Sequence, residues 1–355
     1  MPSSHLKPLI VTVLGAGAMG AAITTPLIDA GHRVRLWGTH LDDHLIDAVQ
    51  AGQPHPRTGA LLPESVQAFR PGDLAAALDG AQVVVLAVSS VGVWDVARLA
   101  APHLGQAQGI LLTSKGFAAD ERGSIQLLPQ TVSRALAQAG AADLPVVAIG
   151  GPCKANEVAV RQPTAPIFAS VEGAADWAAW ATTANYRVAH SADRDGVEIC
   201  AALKNVYAIA LGLADGLSEA GPQPCHDLKS AIFAQSLDEL RQLLQAADCD
   251  PWTVLGLAGA GDLEVTGLSG RNKVFGCRLG QGQSADQALS QMTALEQTVE
   301  GVPAVRLALT WLNQRHPELI GRLPLLEAIF AVVWEGAPIE LIVAAALPTP
   351  NSLTA

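Results

Sequence analysis

The chain has 355 residues and is acidic: 22 Lys and Arg stand against 33 Asp and Glu, a formal net charge of −11. Half of its residues are hydrophobic and only 15% are charged, which excludes an intrinsically disordered chain. Because nucleic-acid phosphates repel an acidic chain, we expect no nucleic-acid partner. The longest apolar runs, Val83–Val88 and Leu341–Leu347, fall short of the roughly 20 residues that cross a bilayer, so we expect no membrane partner.

The five cysteines are odd in number and widely spaced, and no Cys-x-x-Cys pair occurs. This usage is typical of reduced thiols in the cytoplasm and gives no sign of a metal site. We therefore predict a cytoplasmic protein without a bound metal.

The first half of the chain alternates short apolar runs with helical patterns. Several of the intervals fit a crossover helix, which is typical of a doubly wound, mainly parallel sheet with helices on both faces. Two weaker β-like stretches follow at residues 166–170 and 186–189. The five clear candidate strands are Leu9–Leu14, Arg33–Trp37, Val83–Val88, Gly109–Leu112 and Val146–Ile149.

The second half is predicted to be almost entirely helical, with breaks at residues 221–222, 259–261 and 280–282. The candidate helices are Gly196–Leu217, Leu228–Ala246, Asn272–Leu279, Ala285–Gln291, Val302–Arg315 and Leu325–Val333. We therefore predict two domains, an α/β domain at residues 1–190 and an all-α domain at residues 191–355.

A glycine-rich segment follows the first candidate strand and opens a helix. It reads Gly15-Ala16-Gly17-Ala18-Met19-Gly20, the spacing with which a Rossmann domain binds a dinucleotide. The exposed amides and the dipole at the start of that helix favour an anion. All six residues are therefore predicted to bind the cofactor, together with Trp37 and Ser89 at the ends of two strands.

The turn after the second strand leaves the choice between NAD and NADP open. An acidic residue here would bind the ribose 2′-hydroxyl of NAD, but Leu36–His40 contains none, and Asp42 and Asp43 come later. The same turn has no Lys or Arg to hold the 2′-phosphate of NADP. We favour NADP slightly.

Two lysines stand in unusual surroundings. Lys115, in Ser114-Lys115-Gly116, is the only Lys or Arg between Arg98 and Arg122 and follows a strand, where Rossmann ligands bind. Lys204 lies inside a strongly apolar helix, where an ammonium group is costly unless it is paired or functional. The alternatives are a solvated loop lysine for Lys115 and a lysine that reaches the helix surface for Lys204.

A second polar cluster lies between residues 259 and 272. Asp262 follows a glycine-rich turn and marks a helix start, and Thr266 would share its helix face. Arg271 and Asn272 open a further helix, where an arginine can bind a phosphate through two parallel hydrogen bonds. The alternative is a capping aspartate and a surface arginine.

Together these motifs resemble the NAD(P)-dependent sn-glycerol-3-phosphate dehydrogenase family over nearly the whole chain. Their order and spacing carry the resemblance, because no single motif is specific. The matching segments are the glycine loop, Ser114-Lys115-Gly116, Gly151-Pro152 with Ala155 and Glu157, Lys204-Asn205, Gly261-Asp262-Leu263 with Thr266, Arg271-Asn272, and Val299-Glu300-Gly301.

The resemblance implies a Rossmann domain, an all-helical domain and reversible reduction of dihydroxyacetone phosphate, within phospholipid biosynthesis. It also implies a homodimer and a small phosphorylated substrate. By the matching motifs, Lys204 is the general acid beside Asn205, and Asp262 and Thr266 support Lys204. Lys115 is a second active-site lysine and holds the substrate phosphate together with Arg271 and Asn272. Glu300 and Arg271 lie on the cofactor side.

The chain departs from the family pattern where a substrate pocket wall is expected. Cys153-Lys154 replaces the usual Ser-Phe, Gly270 precedes Arg271 in a shortened loop, Asp227 and Gln235 replace other polar residues, and Ser89 replaces a proline. Another phosphorylated polyol or hydroxy compound is therefore an alternative substrate. A non-catalytic NAD(P)-sensing protein and a dehydrogenase specific for carboxylates are further alternatives.

Overall fold

The computed structural model describes residues 7–295 and 297–347, which belong to two compact units. Unit 1 comprises residues 1–118 and 127–198, and unit 2 comprises residues 119–126 and 199–355. The domain division that we predict at residue 190 stays a prediction. Residues 1–6 and 348–355, at the outer ends of the predicted domains, lie outside the described residues.

Unit 1 is built on a sheet whose central strands follow the predicted apolar runs. The strands of the described chain are β1 (Ile10–Leu14), β2 (Arg33–Trp37), β3 (Gln67–Phe69), β4 (Val83–Leu86), β5 (Gly109–Leu112), β6 (Phe117–Ala119), β7 (Ile125–Leu127), β8 (Val146–Gly150), β9 (Ile167–Ala169) and β10 (Ala189–Ser191), and the segment that contains the end of β6 and most of β7 belongs to unit 2. Eight of them form one sheet in the order β10-β9-β8-β5-β4-β1-β2-β3, while β6 and β7 form a separate pair.

The order of the sheet confirms the predicted fold class. The segment β3-β2-β1-β4-β5-β8 is the strand order of a Rossmann domain, and its neighbours all run parallel. Within this eight-stranded sheet β8 and β9 pair antiparallel, whereas β9 and β10 run parallel. The helices between the strands are α1 (Ala18–Asp29), α2 (Asp43–Gln50), α3 (Leu74–Leu78), α4 (Val93–Ala100), α5 (Leu128–Gln138), α6 (Ala155–Ala159) and α7 (Ala174–Ala181).

The sheet is buried on both faces, because successive side chains of a strand point to opposite sides. In β4, Val83 and Val85 join one hydrophobic core, whereas Val84 and Leu86 join another. An uninterrupted run of valine and leucine is therefore the pattern that a two-sided central strand requires.

The structure differs from the prediction at the weak strands. Strand β3 and the pair β6–β7 were not predicted, since each strand has three residues and β3 lies at the sheet edge with exposed or half-buried side chains. The run Val83–Val88 ends as a strand at Leu86. The stretch 186–189 overlaps β10 only at Ala189, and Tyr186 makes an isolated bridge to Thr164.

Unit 2 is helical, as predicted, and α8 runs into it from the end of unit 1. The helices are α8 (Arg194–Ala220), α9 (His226–Ala246), α10 (Asp262–Leu268), α11 (Arg271–Gly280), α12 (Ala285–Ala294), α13 (Gly301–Arg315), α14 (Pro324–Trp334) and α15 (Glu340–Ala345). Among the described residues, only α8 has the length and apolar composition of a membrane-crossing helix, and its most apolar 18-residue window is entirely buried within the protein.

Glycines bring the backbones of α8 and α11 into direct contact. Gly216 on α8 faces Gly280 on α11, while Gly212 of α8 faces the Lys273 backbone of α11 and Gly276 of α11 faces the Ile209 backbone of α8. A Cβ on Gly276 would overlap the carbonyl oxygen of Ile209, and the other three glycines leave equally little room. This close crossing holds the start of α11, with Arg271 and Asn272, against α8.

Candidate active site

In unit 1, the glycine loop has the geometry that a bound pyrophosphate needs. Gly15 has φ +107°, which turns the chain sharply after β1. A Cβ on Gly20 would overlap the carbonyl oxygen of Gly15, so this glycine allows α1 to pack against the loop. A Cβ on Gly17 would meet nothing within 4 Å, which leaves open space in front of the amides that begin α1. The loop therefore fits a dinucleotide.

Two side chains from later in the chain hold this loop at Ala16. The Ala16 amide donates to the Asp42 carboxylate at 3.3 Å, and that carboxylate also accepts the Thr39 amide at 2.9 Å. The Ala16 carbonyl oxygen lies 2.9 Å from Nε2 of His55, which is fully buried. His55 Nδ1 accepts the Arg57 amide at 3.3 Å, so the ring is neutral and carries its proton on Nε2.

One exposed cation of unit 1, Arg57, lies close enough to His55 to act on it electrostatically. Burial lowers the pKa of His55, and the nearby charge of Arg57 lowers it further. The turn after β2 has no Lys or Arg, so a search of that turn alone for a ligand of the NADP 2′-phosphate does not find Arg57. Arg57 lies later in the chain, in the loop between α2 and β3. No local sequence pattern indicates the position of Arg57, because that position depends on the burial of His55 in the folded unit.

The lysine after β5 also has a partner that the sequence motifs do not indicate. Lys115 is half-buried, and the preceding Ser114 donates its hydroxyl hydrogen to the Val88 carbonyl oxygen at 2.5 Å. Glu198, near the start of α8 but within unit 1, is electrostatically coupled to Lys115. Burial raises the pKa of Glu198 to about 8. An acidic residue inside an apolar run, in Val197-Glu198-Ile199, was the signal available in the sequence.

In unit 2, Lys204 forms a buried ion pair. Its side chain is nearly enclosed, and its ammonium group donates to the carboxylate of Asp262, which has no exposed surface. The alternative of a lysine that reaches the helix surface is therefore wrong. Burial with a paired carboxylate keeps the ammonium group in one place, which a proton donor requires.

Beside this pair, amide side chains link α8, α11 and the start of α13. Asn205 donates to Glu300 at 3.3 Å and accepts a hydrogen bond from Asn272 at 3.0 Å. Asn272 in turn accepts the Gly301 amide at 2.8 Å. Arg271 donates to the other oxygen of Glu300 at 3.1 Å, and both of these side chains are about half-exposed. Four of the predicted residues, Asn205, Arg271, Asn272 and Glu300, thus form one hydrogen-bonded group.

Asp262 and Thr266 share a helix face, as predicted, but the local structure differs from the prediction. Residues Leu257–Gly261 form a π-helical turn that continues into α10, so the expected glycine-rich break is absent there. Asp262 does not cap the helix, because its carboxylate pairs with Lys204. The Thr266 hydroxyl donates to the Asp262 backbone carbonyl at 2.6 Å and so supports the turn that carries the carboxylate.

Comparison with known proteins agrees with this geometry. The model of the NAD-dependent glycerol-3-phosphate dehydrogenase N-terminus matches residues 10–175, and that of its C-terminus matches residues 193–344. The NADP(+)-dependent glycerol-3-phosphate dehydrogenase of Archaeoglobus fulgidus is 35% identical over 335 residues, covering 94% of this chain and 97% of its own. The chain belongs to the NAD-dependent glycerol-3-phosphate dehydrogenase family.

Further members of the glycerol-3-phosphate dehydrogenase family are similar over most of the chain. The glycerol-3-phosphate dehydrogenase [NAD(P)+] of Symbiobacterium thermophilum is 35% identical over 92% of this chain and 90% of its own. The crystal structure of the Coxiella burnetii glycerol-3-phosphate dehydrogenase superposes with a TM-score of 0.79, at 28% identity, covering 96% of this chain and 99% of its own. The resemblance stated from the motifs is confirmed.

Two departures from the glycerol-3-phosphate dehydrogenase pattern have local explanations. Lys154 lies at the start of α6 and pairs with Glu157 of the same helix at 3.4 Å. Gln235 donates its amide to the buried Glu239 at 3.1 Å, and Glu239 also accepts the Leu325 backbone amide at the start of α14. Gln235 thus supports a carboxylate that links α9 to α14.

Proposed function

We propose that this protein is an NAD(P)-dependent oxidoreductase that reversibly reduces dihydroxyacetone phosphate to sn-glycerol 3-phosphate. The observation that carries the proposal is the buried Lys204–Asp262 ion pair beside the Asn205 network, in a chain of this family. Reduction of a ketone needs a hydride and a proton. A bound nicotinamide cofactor, for which the glycine loop fits, supplies the hydride.

In this proposal Lys204 supplies the proton. As the carbonyl oxygen gains negative charge, the Nζ ammonium stabilises it and then donates a proton to it. The Asp262 carboxylate holds the ammonium in position, and Thr266 supports the helical turn that carries Asp262. Asn205, fixed between Glu300 and Asn272, orients the polar groups next to the donor.

The substrate phosphate is assigned to Arg271, Asn272 and Lys115. Arg271 lies in the first turn of α11 with its guanidinium half-exposed, and Glu300 holds it at 3.1 Å. A phosphate dianion competes well for such a group, because charge-assisted hydrogen bonds to it are strong and can be bidentate. Glu300 then keeps its second contact, to Asn205, on the side assigned to the cofactor.

The direct test is turnover by the purified protein. Dihydroxyacetone phosphate is mixed with NADH or NADPH, and the absorbance of the reduced nicotinamide is followed. We expect its steady loss, and absence of turnover with both cofactors would overturn the proposal. A panel of other phosphorylated ketoses tests the alternative substrate that Cys153 and Lys154 raise, since turnover would then be faster with one of them.

Replacing Arg271 by alanine is expected to raise KM for dihydroxyacetone phosphate about 10- to 100-fold, because a charge-assisted hydrogen bond contributes roughly 1.5–3 kcal/mol. The plain ketone dihydroxyacetone serves as the matched substrate, and its kcat/KM should change little. Equal losses for both substrates would contradict the assignment of Arg271 to the phosphate and favour a dehydrogenase without a phosphate site.

We infer a preference for NADP from the charge of Arg57 beside the cofactor loop. Arg57→Met is expected to raise KM for NADPH about tenfold or more, since a charge-assisted contact to the 2′-phosphate is lost, and to leave KM for NADH unchanged. Arg70→Met is the matched control, because Arg70 already pairs with Asp47 and Asp43. Equal effects of Arg57→Met on both cofactors would contradict the inference.

We further propose that the protein acts as a homodimer in the cytoplasm, in phospholipid biosynthesis. None of the five cysteines, all of which lie among the described residues, forms a disulfide, and this suits a reducing compartment. We propose the dimer by analogy with the family. Light scattering on the purified protein tests it, because it gives the molar mass in solution. The expectations of no nucleic-acid and no membrane partner stay predictions.

A further inference from the structure

The peptide group between Ala16 and Gly17 lies in the glycine loop, directly before α1. It is a planar trans peptide, so its carbonyl oxygen and its amide hydrogen point in opposite directions. Asp42 holds the Ala16 amide at 3.3 Å, which confines any turning to this one peptide group. Gly17 sets no preference, because glycine has no Cβ and a Cβ built here would meet nothing within 4 Å. A contact from elsewhere in unit 1 therefore has to select the orientation.

His55 provides that contact from the interior of unit 1. Its Nε2 lies 2.9 Å from the Ala16 carbonyl oxygen, and because a carbonyl oxygen only accepts hydrogen bonds, Nε2 is the donor. The His55 side chain has no exposed surface, so the Ala16 oxygen is turned into the protein. The Gly17 amide hydrogen of the same peptide then points away from His55.

The turn that carries His55 holds both its backbone and its ring. The His55 amide donates to the Ala60 carbonyl oxygen at 2.8 Å, and the His55 carbonyl oxygen accepts the amides of Thr58 at 3.1 Å and Gly59 at 2.8 Å. Its Nδ1 accepts the Arg57 amide at 3.3 Å. Because these contacts fix the donor, the glycine loop has to adapt to the ring.

We propose that His55 is a positioning residue for the cofactor, which turns the Ala16 carbonyl oxygen away from the pyrophosphate and so keeps the glycine loop in its binding form. The inference rests on the cofactor-binding role of that loop in the proposed function. Without the donor, the buried Ala16 oxygen is unpaired, and turning the peptide over brings it to water. An oxygen that faces outward carries partial negative charge and repels a pyrophosphate.

The test compares two substitutions that reproduce different ring atoms of His55. Glutamine places an amide nitrogen near the position of Nε2, whereas asparagine is one methylene shorter and reproduces only the acceptor at Nδ1. We expect His55→Asn to raise Kd for NADH and for NADPH by the same factor, about tenfold or more, because a buried acceptor loses its donor. His55→Gln restores the donor and should stay within about threefold of the wild type. Quenching of protein fluorescence gives Kd without turnover.

The comparison of the two cofactors separates His55 from Arg57, whose replacement is expected to weaken NADPH alone. His103→Asn, at an exposed histidine of unit 1, is the matched control and should leave both Kd values unchanged. Equal Kd values in His55→Asn and His55→Gln, whether near the wild type or raised, would overturn the inference and leave the proposed function standing. A wild type that binds neither cofactor would overturn the proposed function and this inference with it.

A measurement on the unaltered protein decides the matter if a variant does not fold. In nitrogen-15 NMR of protein labelled at histidine, with His55 identified by its proximity to the Arg57 amide, we expect the ring hydrogen on Nε2. That hydrogen should exchange slowly with water, both without and with NADPH, because it is buried and donated to Ala16. A hydrogen on Nδ1, or one on Nε2 that exchanges as fast as that of His103, would overturn the inference.

Discussion

Replacing Lys204 by methionine is expected to lower kcat for dihydroxyacetone phosphate reduction about 10³-fold, while the affinity for NADPH changes little. A positioned general acid contributes roughly 10²- to 10⁴-fold, and methionine removes both the proton and the positive charge that would stabilise the developing alkoxide. Steady-state rates give kcat, and quenching of protein fluorescence by NADPH gives the affinity for the cofactor.

The Lys204→Met variant needs a control for folding. It leaves the Asp262 carboxylate buried without its partner, and breaking a buried ion pair from one side costs about 3–5 kcal/mol. The double variant Lys204→Met with Asp262→Asn removes that unpaired charge and should fold as stably as the wild type. If Lys204 is the proton donor, kcat is lost in the double variant too. Recovery of kcat in the double variant would mean that misfolding caused the loss.

The same variant separates an enzyme from a cofactor sensor. A protein that only senses NAD(P) has no use for a proton donor. Lys204→Met would then keep its cellular function, measured by complementation of a strain that lacks the protein. We expect complementation to fail with Lys204→Met and to succeed with Glu172→Gln, which is far from the proposed chemistry in sequence and exposed.

The residues that could be predicted from the sequence are those whose environment is visible within a few neighbours. Lys204 is surrounded by apolar residues in its own helix, so its burial is implied locally, and the i, i+4 spacing of Asp262 and Thr266 places them on one face. The pairing of Lys204 with Asp262, 58 residues away, follows only from the packing of α8 against α10. The order of the motifs along the chain predicted that Lys204 and Asp262 both belong to the candidate site, but it did not predict that they contact each other.

The residues that the sequence does not reveal depend on tertiary burial. His55 has no apolar surroundings in sequence, and only the fold places it on the Ala16 carbonyl oxygen. Glu198 differs from His55 because the sequence does carry a signal for it. It lies in the same apolar run as Lys204, and the same energetic cost of burying a charge applies to it. Likewise, the closely spaced glycines within residues 259–261 predict a break, but packing turns this stretch into part of a π-helical turn. Local propensity yields to tertiary contact at such positions.

Replacing Gly276 by alanine is expected to destabilise unit 2 by about 3 kcal/mol or more. The new Cβ would overlap the Ile209 carbonyl oxygen, which belongs to the backbone of α8 and cannot rotate away. The two helices must then separate, and Gly212, Gly216 and Gly280 lose their close contacts as well. Forcing a group into a packed interior costs about 1–3 kcal/mol, and more where the obstacle is backbone. In thermal unfolding this corresponds to a midpoint lowered by about 6–12 °C.

The matched control is Gly105→Ala, at a position in unit 1 where a Cβ would meet nothing within 4 Å and φ is not positive. This change should leave the midpoint unchanged or raise it slightly, because alanine restricts the unfolded chain. The site should respond as well, since the α8–α11 crossing holds Asn272 against Asn205 at 3.0 Å. Gly276→Ala, assayed well below its midpoint, should therefore show a raised KM for dihydroxyacetone phosphate. An unchanged midpoint together with an unchanged KM would show that the crossing tolerates separation, and that the four glycines are not needed to hold Asn272 against Asn205.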